Sequence, residues 1–488
     1  AIGFESLFNS TGFLDEDTNL GKQNTAIGSS AGYNTTGISN CYFGFEAAYG
    51  SSTGNNNVVI GYQCGRGDDT TIPSAYASSD NNILIGYQCA LNIDSSNDGG
   101  FDDNILIGYK CGMATNSNKN SGTKNTYLGY ECSKNNTDGS NNIGIGYQSL
   151  HENTSGDDNI SIGYQSMKKA TESSNHSNKN VIIGYQSMSN STGTGNTTLG
   201  YKAFNQNTTA TAITSFSSTN SYNIAVGYES LCNTGGYTNI SIGLQCLGKL
   251  TTGYNNIGIG TQTLFENLNS TNNIAIGHYS SYNSKSSNNI SIGYECLKGT
   301  SSNIYDQSPN NIAIGNQCGQ FIINSQNNNG KNVLIGFECG KSSSSTGNSG
   351  EQNVYIGSNS GLSNTSGSFN TCIGTNSGSQ ITTGSKNICI GYNSGTGLTS
   401  GNSQLIISST DSSDNTINWI YGHSSGNIGI GTTSVTSSSA KLNVNGNLAV
   451  TGNLTVTGTI TFDTVGITSI QTSSETFVDN DTSLMTSA

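Results

Sequence analysis

The word Asn-x-x-(Ile/Leu/Val/Phe)-Gly recurs twenty times, with its glycine running from Gly28 to Gly391, and this register constrains the fold more than any other feature. An Asn stands four residues before each of these glycines, from Asn24 to Asn387, and the third residue after each is Ser, Ala, Cys or Thr. A truncated copy opens the chain at Ile2-Gly3. So strict a period predicts a stacked solenoid, in which each coil buries its core only against its neighbours. Function is then to be sought on the sides of a rod and not in a pocket.

The step between successive glycines takes two values. Eleven of the twenty steps, counted from Gly3, are 16 or 17 residues, and the other nine run from 21 to 27. The short step is the basic coil and the longer ones carry inserted loops. Pairs such as Ile143 and Ile145 around Gly144, or Ile257 and Ile259 around Gly258, alternate at period two, which predicts a short strand with one apolar face. A second Gly three residues before the next Asn, as at Gly139, Gly156, Gly253 and Gly384, predicts a second turn and a second strand face per coil. Stacking at about 4.8 Å makes a ladder of the asparagines, among them Asn57, Asn82, Asn104, Asn125, Asn142, Asn159, Asn256 and Asn273, with each amide bonding its neighbours along the axis. The small residue three after the Gly then faces a tight interior. Pro73 and Pro309 both fall in long-spaced coils, where a missing backbone donor does not interrupt the ladder.

A large compact core is excluded, because only 32% of the 488 residues are hydrophobic and 64 are Gly. Low hydrophobicity often signals disorder, but disorder would not hold Ile in register through twenty copies. The net charge of −13 and the single arginine, Arg66, argue against nucleic acid and anionic membranes, which need clustered Lys and Arg. No apolar run approaches the roughly 20 residues of a membrane span, so no membrane insertion is expected. The chain opens within a repeat and without Met, so further N-terminal sequence carrying any targeting signal is expected.

Eight of the twelve cysteines, including Cys64, Cys89, Cys111 and Cys132, occupy the small interior position and interchange there with Ser and Ala. They are expected as an interior stack of free thiols, with bridges along the stack or between subunits as the alternative. No Cys-x-x-Cys pair exists, so neither a metal site nor a cofactor is expected. His151, His176, His278 and His423 sit at unrelated places in the repeat without a catalytic spacing, so no catalytic residue is assigned and the chain is expected not to be an enzyme. The many Asn-x-Ser/Thr triplets follow from composition.

Beyond Gly391 the pattern changes. The segment 398–435 contains the only Trp, Trp419, and reads as a cap or neck over the apolar end of the solenoid 1–397. In 436–488 a second repeat places Gly446, Gly452 and Gly458 six residues apart, with pairs such as Leu448/Val450 and Leu454/Val456 between them. One chain cannot bury that face alone, which predicts an intertwined trimeric shaft.

Blocks such as Asn142-Ile143-Gly144-Ile145-Gly146-Tyr147-Gln148-Ser149-Leu150 resemble the repeats of tail-fibre and surface-fibre proteins of phages and large viruses. More loosely, they are similar to the head repeats of YadA-like trimeric autotransporter adhesins. The stretch from Gly426 to Thr433, followed by Ala440 to Gly446, is a more specific match to the segment that often precedes a self-cleaving intramolecular chaperone in tail fibres. The resemblance covers nearly the whole chain. It implies an all-β fold: a homotrimeric, left-handed parallel β-solenoid, or β-roll, followed by a trimeric β-prism shaft, with a chaperone expected beyond Ala488.

The function expected on this basis is a structural fibre on a virion or cell exterior that attaches to a host surface, through a glycan or else a protein receptor. Avidity from three chains would offset weak single contacts. The inserted loops are the expected contact surface, through Tyr76, Phe101, Phe216 and Tyr222. A polymerising extracellular filament is the alternative, and a polysaccharide-degrading tail spike a further one, requiring acidic residues along one groove. Ice binding is disfavoured because Thr does not recur at a fixed outward position.

Overall fold

A computed structural model describes residues 1–8, 23–50, 54–67, 79–93, 100–114, 120–169, 177–205, 220–233, 236–299, 309–322, 330–342, 347–410, 416–432, 441–451 and 455. Each Asn-x-x-Ile-Gly word forms one rung. Twenty three-residue strands, from β1 (Thr25–Ile27) to β20 (Ile388–Ile390), each pair in parallel with the next in sequence. The chain is thus a parallel β-solenoid. In β7 (Ile143–Ile145) and β8 (Ile160–Ile162) the register is Ile143 on Ile160, Gly144 on Ser161 and Ile145 on Ile162. A 25-residue step leaves the same register: Ile60 still faces Ile85. Insertions therefore leave the coil without shifting the ladder.

The rung glycine cannot be replaced by another residue without a clash. Gly146 has φ +130°, and a Cβ on it would lie 2.4 Å from the carbonyl oxygen of Gly163, the same position one coil on. Among the second glycines Gly193 has the positive φ (+133°) that the sequence suggests, but most are retained for a different reason. Gly139, Gly156, Gly253 and Gly384 do not adopt positive φ, but a Cβ on Gly156 would lie 2.3 Å from Asn153 Oδ1 and 2.5 Å from the Ser177 carbonyl. Crowding between coils, not backbone handedness, fixes that position.

Among the described residues of the coils only one side carries a regular strand, not the two expected; away from it there are isolated parallel bridges, Ile93 to Asn120 and Ile322 to Asn348. The other side is a run of turns in which alternate residues are left-handed, such as Gln148 (φ +52°) and Leu150 (φ +54°). Their amides still bond along the axis, Gln148 N–H to the Tyr130 carbonyl of the previous coil (2.9 Å) and Leu150 N–H to the Ser166 carbonyl of the next (3.1 Å). These turns bury small and apolar side chains without a pleated second sheet, and the backbone groups remain paired.

The strand's apolar alternation faces the opposite way from an ordinary core strand. The central residue of each rung points inward, while the two flanking positions point out: Ile143 and Ile145 are 38% and 37% exposed. The core is filled by the central residue and by the third and fourth residues after the glycine, for example Tyr127, Cys132, Ser149 and Leu150. It divides into two apolar clusters, Ala26 to Ala275 and Cys296 to Ile406. Between them lies a layer of hydroxyls, in which Ser280 Oγ and Ser281 Oγ each bond Ser291 Oγ at 2.8 Å.

At the C-terminal end β21 (Leu405–Thr410) continues the parallel stack, and β22 (Thr416–Gly422) and β23 (Ile428–Ile430) turn it into an antiparallel meander. Trp419 does not cover the core: it is 60% exposed, whereas Tyr421 and Leu398 pack against the last apolar cluster. Tyr421 also donates from its hydroxyl to Gln404 Oε1 at 2.5 Å. Residues 444–488 form a separate unit; the described part, 444–451 and 455, is almost wholly exposed, and most of the expected shaft lies outside the described residues.

Candidate functional site

Because each coil repeats the last, side chains fall into columns. The asparagines form a buried one. Asn142 donates from its backbone N–H and from Nδ2 to Asn125 Oδ1 (2.9 and 3.2 Å), and from Nδ2 to the Gly156 carbonyl (2.8 Å). The two bonds to the preceding Oδ1 recur at Asn82, Asn159, Asn256 and Asn273, and at Asn273 the third bond from Nδ2 goes to Ser270 Oγ (3.0 Å). The column ends at Gln404, whose backbone N–H donates to Asn387 Oδ1 at 3.0 Å. With both ends of each amide used internally, this ladder is structural.

A second interior column carries thiols. Cys64, Cys89, Cys111 and Cys132 occupy consecutive coils, and all are fully buried and unbridged. Burial, with the neighbouring thiol, pushes Cys64 and Cys111 up, whereas at Cys89 burial is outweighed by hydrogen bonds from Cys111 and Cys64, which hold the thiol down. Outside this run burial pushes Cys246 up to about 12 and the less enclosed Cys232 up to about 11. Among the described residues no group of three His, Cys, Asp or Glu is arranged to hold a metal ion, and no helix is long and apolar enough to cross a membrane.

Of the four residues expected to contact a receptor, Tyr76 and Phe216 lie outside the described residues. Phe101 is no surface residue. It is 1% exposed and fills the core, and its carbonyl accepts from Asn82 Nδ2 at 2.7 Å, because the insertion before it returns to the coil at Gly100. Tyr222 is 65% exposed, just before the rung Asn.

The outward columns are the surface's main feature. The two flanking strand positions carry Ile, Val, Leu, Phe, Thr or Cys in all twenty rungs and never a charged residue. Beside them, the residue after the rung glycine is tyrosine in nine consecutive coils from Tyr62 to Tyr228. Neighbouring rings stack at 4.8–5.2 Å with planes within 10°. The next position forms a polar column, in which Gln148 donates to Glu131 (2.9 Å) and Gln165 to Gln148 (3.0 Å). The tyrosine column is legible in pairs such as Gly61-Tyr62 and Gly146-Tyr147, but the Asn and Ile of the same word dominate the pattern.

Glu131 is a local hub. It accepts from Lys134 Nζ at 2.8 Å and lies 3.6 Å from His151 Nε2. Burial pushes the His151 imidazole down despite the attraction of Glu131. An open groove of about 380 Å³ is lined by Gln186, Lys202, Glu229, Asn233, Lys249 and Phe265, among others. Lys249 both pairs with Glu266 (2.7 Å) and lies 5.1 Å from the centre of the Phe265 ring.

Comparisons with protein-family models, curated proteins and solved structures find no match for this chain.

Proposed function

We propose that the protein is a non-enzymatic structural fibre whose chains associate as a homotrimer and project from a virion or cell exterior to attach to a host surface. The observation that carries this reading is the uncharged apolar face running along all twenty rungs. At about 4.8 Å per rung and about 7 Å between alternate residues, two such columns cover on the order of 700 Å². That exceeds the few hundred Å² of a typical contiguous surface patch and marks an association face. A partner that covers it must be straight, apolar and periodic at the strand spacing, and a second copy of the same chain has these properties. Three-fold closure follows the fibre resemblance.

Attachment is assigned to a glycan, bound weakly and in three copies. The groove beside Phe265 supports this with amide, ammonium and carboxylate groups suited to sugar hydroxyls, gathered along the edge of a ring that Lys249 and Tyr282 cover. Light scattering on the native protein tests the assembly: a mass of three chains is expected, and a monomer or an open-ended polymer overturns it. A glycan array tests attachment, with binding expected for the native chain and lost in Phe265→Ala. Release of oligosaccharides from a bound polysaccharide would instead make the protein an enzyme.

A further inference from the structure

The tyrosine column has a chemistry that attachment and assembly do not use. Its nine rings are between 38% and 48% exposed, so small oxidants reach them. Each stacked ring has its faces covered by its neighbours, so the column presents edges and hydroxyls and is poorly suited to stack on sugar rings. The same stacking holds every ring parallel to an identical phenol at 4.8–5.2 Å, along eight consecutive pairs. Elsewhere in the described structure Tyr33 and Tyr49, and Tyr237 and Tyr254, form isolated pairs of the same kind.

We propose that the Tyr62–Tyr228 column is a site of oxidative cross-linking, in which adjacent tyrosines couple to dityrosine and bond consecutive coils covalently. The oxidant is a peroxide acting through a one-electron catalyst such as a haem peroxidase. Each of two phenols gives one electron to the oxidant and its hydroxyl proton to water, leaving two neutral phenoxyl radicals. The radicals join through their ortho carbons, and each ortho hydrogen then moves to the oxygen of its own ring, restoring both phenols. The pair loses two hydrogens in total, and one hydrogen peroxide takes up the two electrons and two protons to leave as two waters. Stacking favours the step because coupling needs two radicals in contact, and the radical can pass between equivalent rings until it meets another. The links join residues one coil apart, such as Tyr130 to Tyr147 or Tyr147 to Tyr164. The core cysteines are fully enclosed and do not compete; the accessible thiols among the described residues, Cys41 and Cys232, lie outside the column and are alkylated before the oxidant is added.

The test is to treat the native full chain with hydrogen peroxide and a haem peroxidase, follow dityrosine fluorescence, and map linked peptides by mass spectrometry. Links between consecutive column tyrosines are expected, each with the loss of two hydrogens. A variant with Tyr87→Phe, Tyr130→Phe, Tyr164→Phe and Tyr201→Phe keeps the stack of rings but leaves no two column phenols adjacent. Its dityrosine yield should fall at least five-fold, with an unchanged circular dichroism spectrum showing that the coils persist. The native chain unfolded in guanidinium should likewise lose its preference for one-coil neighbours. A yield unaffected in the variant, or links distributed at random among the tyrosines, would overturn the proposal. Neither result depends on whether the chain binds a glycan.

Discussion

Single positions in this chain are fixed by the coil above and the coil below. At Gly146 the backbone has φ +130° and a Cβ would sit 2.4 Å from the Gly163 carbonyl oxygen, so Gly146→Ala combines an unfavourable conformation with a backbone clash. Gly397 is a useful contrast, with φ +85° and nothing within 4 Å of the same added atom. Gly397→Ala should cost about 1 kcal/mol, the left-handed penalty alone, and Gly146→Ala at least about 3 kcal/mol as strain and overlap add. Guanidinium melts of the two variants check the difference; equal losses would mean that conformation alone fixes the rung glycine. Asn142 is bound as tightly by its bonds. Asn142→Ala removes the acceptor of the Asn159 backbone N–H, while the Gly156 carbonyl keeps Asn153 Nδ2 and Asn159 Nδ2 keeps the Ser177 carbonyl, at a cost of about 1–3 kcal/mol.

At the scale of the rung, the sequence conveys the period, the strand and its register, because a strict word at a fixed offset can satisfy itself only by stacking. It conveys much less about which side of the strand is inside. Ile at alternate positions ordinarily means an inward face, but here Gly144, Ser161 or Ala225 lies inside and the isoleucines outside, since a coil closed by tight turns has room only for small side chains or a few large ones. Phe101 misled in the same way: an aromatic beside a long insertion is placed by the point at which the chain rejoins the coil, which composition does not reveal. The layer at Ser280, Ser281 and Ser291 is a further consequence of exchange at equivalent positions, where Leu264 and Leu297 flank Ser281 one coil to each side. In a stack stabilised by nearest neighbours, hydroxyls at the junction of two apolar clusters weaken one interface. Hydrogen exchange should therefore be faster at Ile274–Ile276 and Ile290–Ile292 than at the interior rungs packed on large apolar side chains, such as Val181–Ile183 and Val333–Ile335, and equal protection of these rungs would refute this. The polar column adds a pH term. Partial burial opposes ionisation of Glu131, but Lys134 and Gln148 outweigh it and hold the carboxyl below its usual range. That stabilisation is complete above the ordinary glutamate value of about 4.3 and is lost as pH falls through the lower folded value. The melting temperatures of the native chain and Glu131→Gln should thus differ at pH 7 and converge on acidification.

On the scale of the whole molecule, a one-dimensional stack has no centre in which to hide apolar surface, so what each rung leaves outside accumulates along its length. Two columns without a charged residue in twenty rungs represent the same exposed pair repeated at the strand spacing. Covering such a face with other copies makes stability depend on protein concentration, because assembly and folding then share one free energy. Replacing Ile107, Ile145, Ile183 and Ile242 by Asp tests this with little effect on the interior, since all four are 36–38% exposed and point away from the core. On the proposed trimer, the single chain should keep its β-sheet circular dichroism while light scattering shows the mass drop from three chains to one. Its melting temperature should also stop rising with concentration. If the variant instead remains trimeric, the isoleucine face is not the interface, and the apolar columns must be covered by something other than a copy of this chain. If it unfolds outright, the same substitutions made one at a time separate loss of the rung from loss of the partner, because a single Asp in a twenty-rung stack leaves nineteen intact but should still weaken association at its own level.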